Sequence, residues 1–571
     1  MFRPNKEGCD NTGECEMNRE KPNNPYWNDP SAAQRRVMYK AAGFADKDIR
    51  NRWHIGVANA FSEASPGTAH LRTVAEHVKN GIWANGGMPL EFGIPSTCGN
   101  LSNGHEYLKY DLAMRDLVAN SIELVAKIQH FDALVILASC DNIIAGAYLA
   151  AARMDIPTLI VPGGSMVTGR CNGERVVEAD MDVAIHAGDI EKIMEMEELV
   201  CPSVGACPSM GTANTMQILG EPMNLVLPGA GSVPAVDSAI YRKANEAGRR
   251  IVDMAREDRK PSEMITREVL LNTIMADMAI AGSTNAVLHI LAVANELCID
   301  LTMDDFDALS GDIPCICGVM PSGPYTVSDY YENGATPVLM KALEKKLYLD
   351  APHVTAGTWG EFLKGIKRKR LENNEVIKTM DKPLFQKPGL KVLKGNLSEG
   401  GAIVRPTGVP DSMMKFSGPA KVYDHEMHAH AALLNGEIVE GDVIVVRYEG
   451  CKGAPGMKEV MHITDALIGR GYGEKVALVT DARFSGFNHG AIVGHVSPEA
   501  YEGGLIALVE EGDIIDIDIE KGILHLNISE EEESKRRAAW VKPEPKDKKG
   551  AIRMYAKNCL PAHMGGAMQT W

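Results

Sequence analysis

The sequence predicts an α/β fold: a parallel sheet with helices in the N-terminal two thirds, followed by a β-rich barrel or sandwich. Three observations carry this. Continuous apolar runs alternate with helix-like runs in the first part, and short strands divided by Gly, Pro and Asp turns fill the last part. Between them, polar loops bearing cysteines fall where strands end. Apolar strands alternating with helices build a parallel sheet covered on both faces, and such sheets place function at the strands' carboxyl ends.

Taken in order, DALVILASC (132–140) is a buried-strand run ending on Cys140, and AGAYLAAARM after it reads as a helix. TLIVPGGSM (158–166) is a second strand, ending in the Gly163–Gly164 turn. Helices follow around 240–256 and 284–297, the latter capped by Ser283 or Thr284. The charged stretch KGIKRKRLENNEVIK (364–378) reads as a linker or a solvated helix face. It separates a domain of residues 1–375 from one of residues 376–571. Beyond it AIVR, GDVIVVRYEG, KVALVT and IIDIDI are short strands, and 529–550 is a charged surface excursion.

A chain of 571 residues is expected to hold two or three domains. Apolar content of 45% and charged content of 24% are those of a soluble globular protein. A net charge of −17 argues against nucleic acid or an anionic membrane as partner. No apolar run approaches the roughly 20 residues of a spanning helix, and MFRPNKEGCDNTGECEMNREK has no apolar core for a secretory signal, so a cytoplasmic location is expected. Twelve cysteines there read as reduced thiols or metal ligands.

Cys98 in PSTCGN, Cys140 in SCDN and Cys207 in GACPSMGTANT each sit on a tight polar loop. Three thiolates without a fourth suit a cubane iron–sulfur cluster whose last iron stays open to substrate, and no CxxC knuckle occurs. For any one of them alone, an inert buried cysteine is the competing reading. Cys9 and Cys15, in a polar tail, and Cys315 and Cys317, in an apolar loop, read as structural. Ser485, in the Gly-flanked loop VTDARFSGFNHG, is a base or nucleophile if deprotonated near a metal or helix N-terminus, and otherwise a turn former. Glu449 in YEGCKGAPGM and Asp141 are carboxylates suited to a hard cation, with an exposed turn and a helix cap as their plainer readings.

SCDN, VGACPSMGTANTM, AIAGSTNAVLH, YEGCKGAPGM, TDARFSG and GHVSPEA together, in this order, resemble the superfamily of dihydroxy-acid, 6-phosphogluconate and sugar-acid dehydratases. The resemblance implies removal of water from a 2,3-dihydroxy carboxylate to give a 2-keto-3-deoxy acid. It implies an α/β cluster domain, a C-terminal barrel-like domain and an active site between them, in a homodimer or homotetramer. It makes Cys140 and Cys207 cluster ligands, Ser485 the alkoxide that takes the C2 proton, and Asp141 and Glu449 magnesium ligands.

The sequence departs from the family pattern in three places. Gly67 stands where many members carry a cysteine, so Cys98 is expected to supply the third thiolate, which favours a 4Fe–4S over a 2Fe–2S cluster. Gly99 or Asn100 stands where a magnesium carboxylate is expected, and Asn142 replaces a lysine that follows Cys-Asp. Asn142 still offers an amide oxygen to a cation. Loop texture resembles the sugar-acid dehydratases more than the branched-chain biosynthetic enzymes, so a sugar acid is the expected substrate. A branched-chain dihydroxy acid, and a catalytically inert cluster-binding homologue, are the alternatives, beside an enzyme with a mononuclear metal at the three cysteines. His105, Thr480, Ser283, His70, Asn103 and His489 are candidate substrate contacts. No basic cluster calls for a phosphate.

Overall fold

The computed structural model describes residues 24–486 and 488–570, so Cys9 and Cys15 lie outside the described residues. The N-terminal half holds a parallel sheet of β1 (Trp53–Asn59), β2 (Gly87–Gly93), β3 (Ala133–Ala138) and β4 (Thr158–Pro162) in the order β2-β1-β3-β4. Ile55 pairs with Ala133, and Leu134 with Thr158. Helices Leu71–Ala84, Tyr110–Gln129 and Asp141–Met154 make the crossovers. β3 and β4 are buried along their whole length, which is why they read as unbroken apolar runs. Outside the sheet, helix Ala239–Glu257 lies close against helix Leu71–Ala84. Glycines on both permit this approach: a Cβ on Gly81 would stand 2.2 Å from Asn245 O, and one on Gly248 2.1 Å from Val78 O. A small hairpin, β5 (Gly169–Cys171) and β6 (Glu174–Val176), follows β4.

The C-terminal half is an eight-stranded mixed sheet: β7 (Lys391–Leu393), β8 (Gly401–Val404), β9 (Lys415–Tyr423), β10 (Val443–Val446), β11 (Ala477–Thr480), β12 (Ile492–Ser497), β13 (Ile514–Asp518) and β14 (Ile523–Leu526). Their order is β14-β13-β9-β10-β11-β12-β8-β7. Lys394 pairs with Ile523, its N–H bonding Gly522 O at 2.8 Å, so the two end strands meet and the sheet is barrel-like. Alternation sorts the side chains into two layers. Val443, Val445 and Val479 fill one core with Ile515 and Leu524. Ile444, Val446 and Leu478 face the other way, under helices Glu426–Leu434 and Met461–Gly469.

The stretch 364–378 differs from a solvated linker. Val376 and Ile377 are buried, and Lys378 N–H bonds Ile316 O at 2.7 Å, so its end is stitched to the loop of Cys315 and Cys317. The C-terminal tail returns to the first half: Arg115 donates to Gly565 O at 3.0 Å, and Met568 N–H donates to Asp116 at 2.7 Å. No helix among the described residues is long and apolar enough to cross a membrane.

Candidate active site

One cavity of about 100 Å³ is lined by Cys98, Cys140, Cys207, Asp141, Asn142 and Ser485, so three expected thiols and the expected serine share one space. Its walls come from loops beyond the carboxyl ends of the parallel strands. Cys98 follows β2, Cys140 follows β3, and the Cys207 loop is tied to the turn after β4 by bonds Ala206 N–H to Gly164 O and Met166 N–H to Ala206 O, at 2.9 and 2.7 Å. The order β2-β1-β3-β4 reverses at β1, and such switch points open a crevice.

Cys140 turns the chain from strand to helix in one step. It caps helix Asp141–Met154 at φ 67° and ψ 167°, a conformation nearly reserved for glycine. The helix N-terminus then faces the thiols, as does that of Thr212–Leu219, and both favour anions. A Cβ on Gly67 would stand 2.6 Å from Cys140 Sγ, so the space of a side chain at 67 is taken by the thiol. Asn214 holds the third loop by donating to Cys207 O at 2.5 Å and Ser209 O at 2.9 Å.

A hydrogen bond from Cys140 brings the Cys98 thiol down to about 7. That bond and burial push Cys140 up, while burial and the nearby Glu178 push Cys207 up. Six carboxyl groups line the cavity: Asp111, Asp141, Glu178, Asp182, Glu459 and Asp465. Burial and neighbouring Asp141 raise Asp111 to about 8, and burial raises Glu459 to about 7. Arg483 opposes this from beneath. Its fully buried guanidinium lies 3.4 Å from Glu459 and 3.7 Å from both Asp111 and Asp141.

Among the described residues that line the cavity, three buried oxygens accept no hydrogen bond: Asp141 Oδ1, which lies 3.5 Å from His289 Nε2, Asn142 Oδ1 and Glu178 Oε2. Buried acceptors left without donors are costly, and these lie beside three thiols in a cavity without a lysine in its lining. The donor set fits a thiolate-bound cluster together with a hard cation held by oxygen.

Other expected residues fall elsewhere. Glu449 is buried outside the cavity lining, where it accepts from Glu426 N–H at 3.2 Å with Lys458 and Lys546 each 3.7 Å away. Glu459, from the same loop region, is the carboxylate that reaches the cavity. Thr480 Oγ1 accepts from Ala482 N–H at 3.0 Å and holds the turn after β11. His105 is exposed and accepts from Tyr107 N–H at 3.2 Å, and His489 is exposed as well. His70 is turned to Gly163 O at 2.6 Å. Ser283 lies one layer below the cavity, 2.7 Å from the Thr212 hydroxyl and under the Ser485 loop. Asn103 interacts with the carboxyl group of Asp182. Cys315 and Cys317 are buried in the core, burial pushing Cys315 up to about 12. The sequence reading missed Asp111, Glu178, Asp182, Glu459, Asp465 and Arg483. Only Arg483, inside the TDARFSG motif, carried a local signal.

A parallel sheet, a barrel-like sheet and a cavity of thiols and acids define a class. The family model described as dihydroxy-acid/6-phosphogluconate dehydratase N-terminal matches residues 52–362, and its C-terminal counterpart matches residues 375–566. The chain belongs to the dihydroxy-acid/6-phosphogluconate dehydratase family and is a hydro-lyase. It is similar to a dihydroxy-acid dehydratase of Caldanaerobacter subterraneus subsp. tengcongensis, 42% identical over 547 residues, covering 94% of this chain and 97% of that one. Dihydroxy-acid dehydratases of Ignicoccus hospitalis and Pyrococcus furiosus are each 43% identical, covering 95% and 94% of this chain and 98% of their own.

Proposed function

We propose that the chain dehydrates a short, unphosphorylated 2,3-dihydroxy carboxylate of the branched-chain type to its 2-keto-3-deoxy acid. One observation carries this: the thiols, the unpartnered cation-seeking oxygens and Ser485 line one compact cavity whose lining contains no Lys, Arg or His. A phosphate would find no basic side chain among the described lining residues, only the helix N-termini that the carboxylate also uses. The relatives' names support a dihydroxy acid over the sugar acid that loop texture suggested.

Cys98, Cys140 and Cys207 would hold the iron–sulfur cluster, favoured as 4Fe–4S, which supplies a Lewis acid for the departing C3 hydroxyl. Asp141 and Asn142, with Glu459 in place of the expected Glu449, would hold magnesium, which supplies positive charge for the substrate carboxylate. Ser485, as its alkoxide, would take the proton from C2 while the C3–O bond breaks; that proton passes to the departing hydroxide, which leaves as water and restores the alkoxide, and the resulting enol tautomerises to the ketone. Arg483 stays in its pocket, fixing Asp111, Asp141 and Glu459. The two helix N-termini favour the anionic substrate. The assembly we propose is a homodimer or homotetramer, which sedimentation reads directly.

The test is anaerobic purification, iron and sulfide analysis, then keto-acid assay with 2,3-dihydroxy-3-methylbutanoate and a panel of aldonates. The branched acid should give the higher kcat/KM. Ser485→Ala should lower kcat by roughly 10²–10⁴-fold with cluster content unchanged. A preference for aldonates overturns the substrate class. Cluster-loaded protein inert on every acid overturns the enzymatic reading.

A further inference from the structure

Three imidazoles meet beside the cavity, on three different helices: His186 on Glu178–Ala187, His430 on Glu426–Leu434 and His462 on Met461–Gly469. One ligand nitrogen from each lies within 4.8 Å of the other two. Ring centroids are 4.0 Å apart for His430 and His462, 4.6 Å for His186 and His462, and 5.4 Å for His186 and His430. His430 is only 8% exposed, and its buried Nε2 has no hydrogen-bond partner. A buried ring nitrogen without a partner is a cost that a bound cation removes.

We propose that His186, His430 and His462 bind a divalent transition-metal ion, zinc being the probe of choice, which clasps the α/β half to the barrel half beside the active site.

Three neutral imidazoles with a fourth position open to water are a sufficient set for zinc or cobalt. Zn–N bonds of about 2.0–2.1 Å set nitrogens roughly 3.4 Å apart in a tetrahedron, a contraction that side-chain rotation supplies. Charges of both signs surround the rings. Asp182, Glu426 and Asp465 lie one helical turn from the respective histidines, and Arg470 and Lys458 are the opposing charges, Lys458 being held 2.8 Å from Glu426. Asp182, Met461 and Asp465 also line the active-site cavity, so the clasp borders the wall of the reaction space. The competing account is that the three rings merely pack against one another.

Cluster-loaded protein is dialysed against zinc and analysed for metal, and cobalt is then substituted for its optical spectrum. The expected result is one zinc per chain beyond the cluster, and a cobalt spectrum of nitrogen and oxygen ligation without thiolate charge transfer. His186→Gln and His462→Gln, on helices from the two halves, should each weaken zinc binding by more than 100-fold, above the roughly 10–100-fold that changes behind a ligand cost. His428→Gln, exposed on the same helix as His430, should bind as the unaltered protein does. Zinc should raise Tm in the unaltered protein and in His428→Gln only. Zinc retained by both His186→Gln and His462→Gln, no zinc taken up at all, or a thiolate-type cobalt spectrum overturns the proposal. None of these readouts depends on turnover, so they stand apart from the substrate assignment.

Discussion

Cys140 occupies a backbone region that costs a non-glycine residue about 1–3 kcal/mol, and the surrounding turn over-determines it. The conformation sets its thiol against Gly67, so the position where other members carry a cysteine must stay bare. Gly67→Ala should therefore displace Sγ and lower the iron content of purified protein, as should Cys98→Ser. Cys315→Ser should leave iron unchanged, because that thiol is buried in the core away from the cavity. Iron and sulfide analysis of the three variants decides this. Arg483 makes a second test at this scale. Replacing it by Met leaves Asp111, Asp141 and Glu459 uncompensated, and removal of one partner of a buried ionic group costs about 3–5 kcal/mol. Denaturant unfolding of Arg483→Met against the unaltered chain measures it.

At the level of elements, the site is a set of loops sewn together by backbone bonds. Gly205 has φ 122° and a Cβ there would stand 2.5 Å from Met166 N, so the Cys207 loop can lie on the turn after β4 only with glycine at this point. Gly205→Ala should cost about 2 kcal/mol or more and release Cys207 from register, seen as a lower Tm with loss of cluster absorbance. This local logic explains what the sequence could disclose. β3 and β4 were legible because burial on both faces leaves continuous apolar runs. β1 and β2 were not, since His54, Gly56 and Asn59 interrupt one, and Pro89 and Glu91 the other. Pro89 is tolerated because β2 is an edge strand. The thiols and Ser485 were legible because each sits in a loop of unusual composition. Asp111 and Glu459 were not, because nothing local separates a carboxylate that packing buries from one that faces water. The same holds within one loop: the motif around Glu449 marked the loop, and packing puts Glu459 rather than Glu449 in the cavity lining.

Across the whole molecule, buried acids make stability depend on pH even away from the cavity. Glu221 is buried and accepts from Gly229 and Gly231 N–H at 2.7 and 2.9 Å, and burial lifts its carboxyl to about 7. A carboxyl raised in the folded state contributes stability fully below its ordinary value of 4.5, and that contribution is lost as pH rises through about 7. The contribution of Glu221 should therefore fall between about pH 5 and pH 8, against the opposite contribution of buried histidines such as His353 and His495. Glu221→Gln should change the stability difference between the two pH values by about 3 kcal/mol toward higher stability at pH 8, as read by chemical denaturation at both. The barrel-like closure has a different consequence. Where Lys394 meets Ile523, the strands that would otherwise end the sheet pair with each other instead of presenting a row of open N–H and C=O groups. An extended peptide, or the same strand of a second copy, finds little free ladder there to extend. Edge addition to this half is thereby disfavoured, a consequence that the edge strands β2 and β4 of the four-stranded sheet do not share.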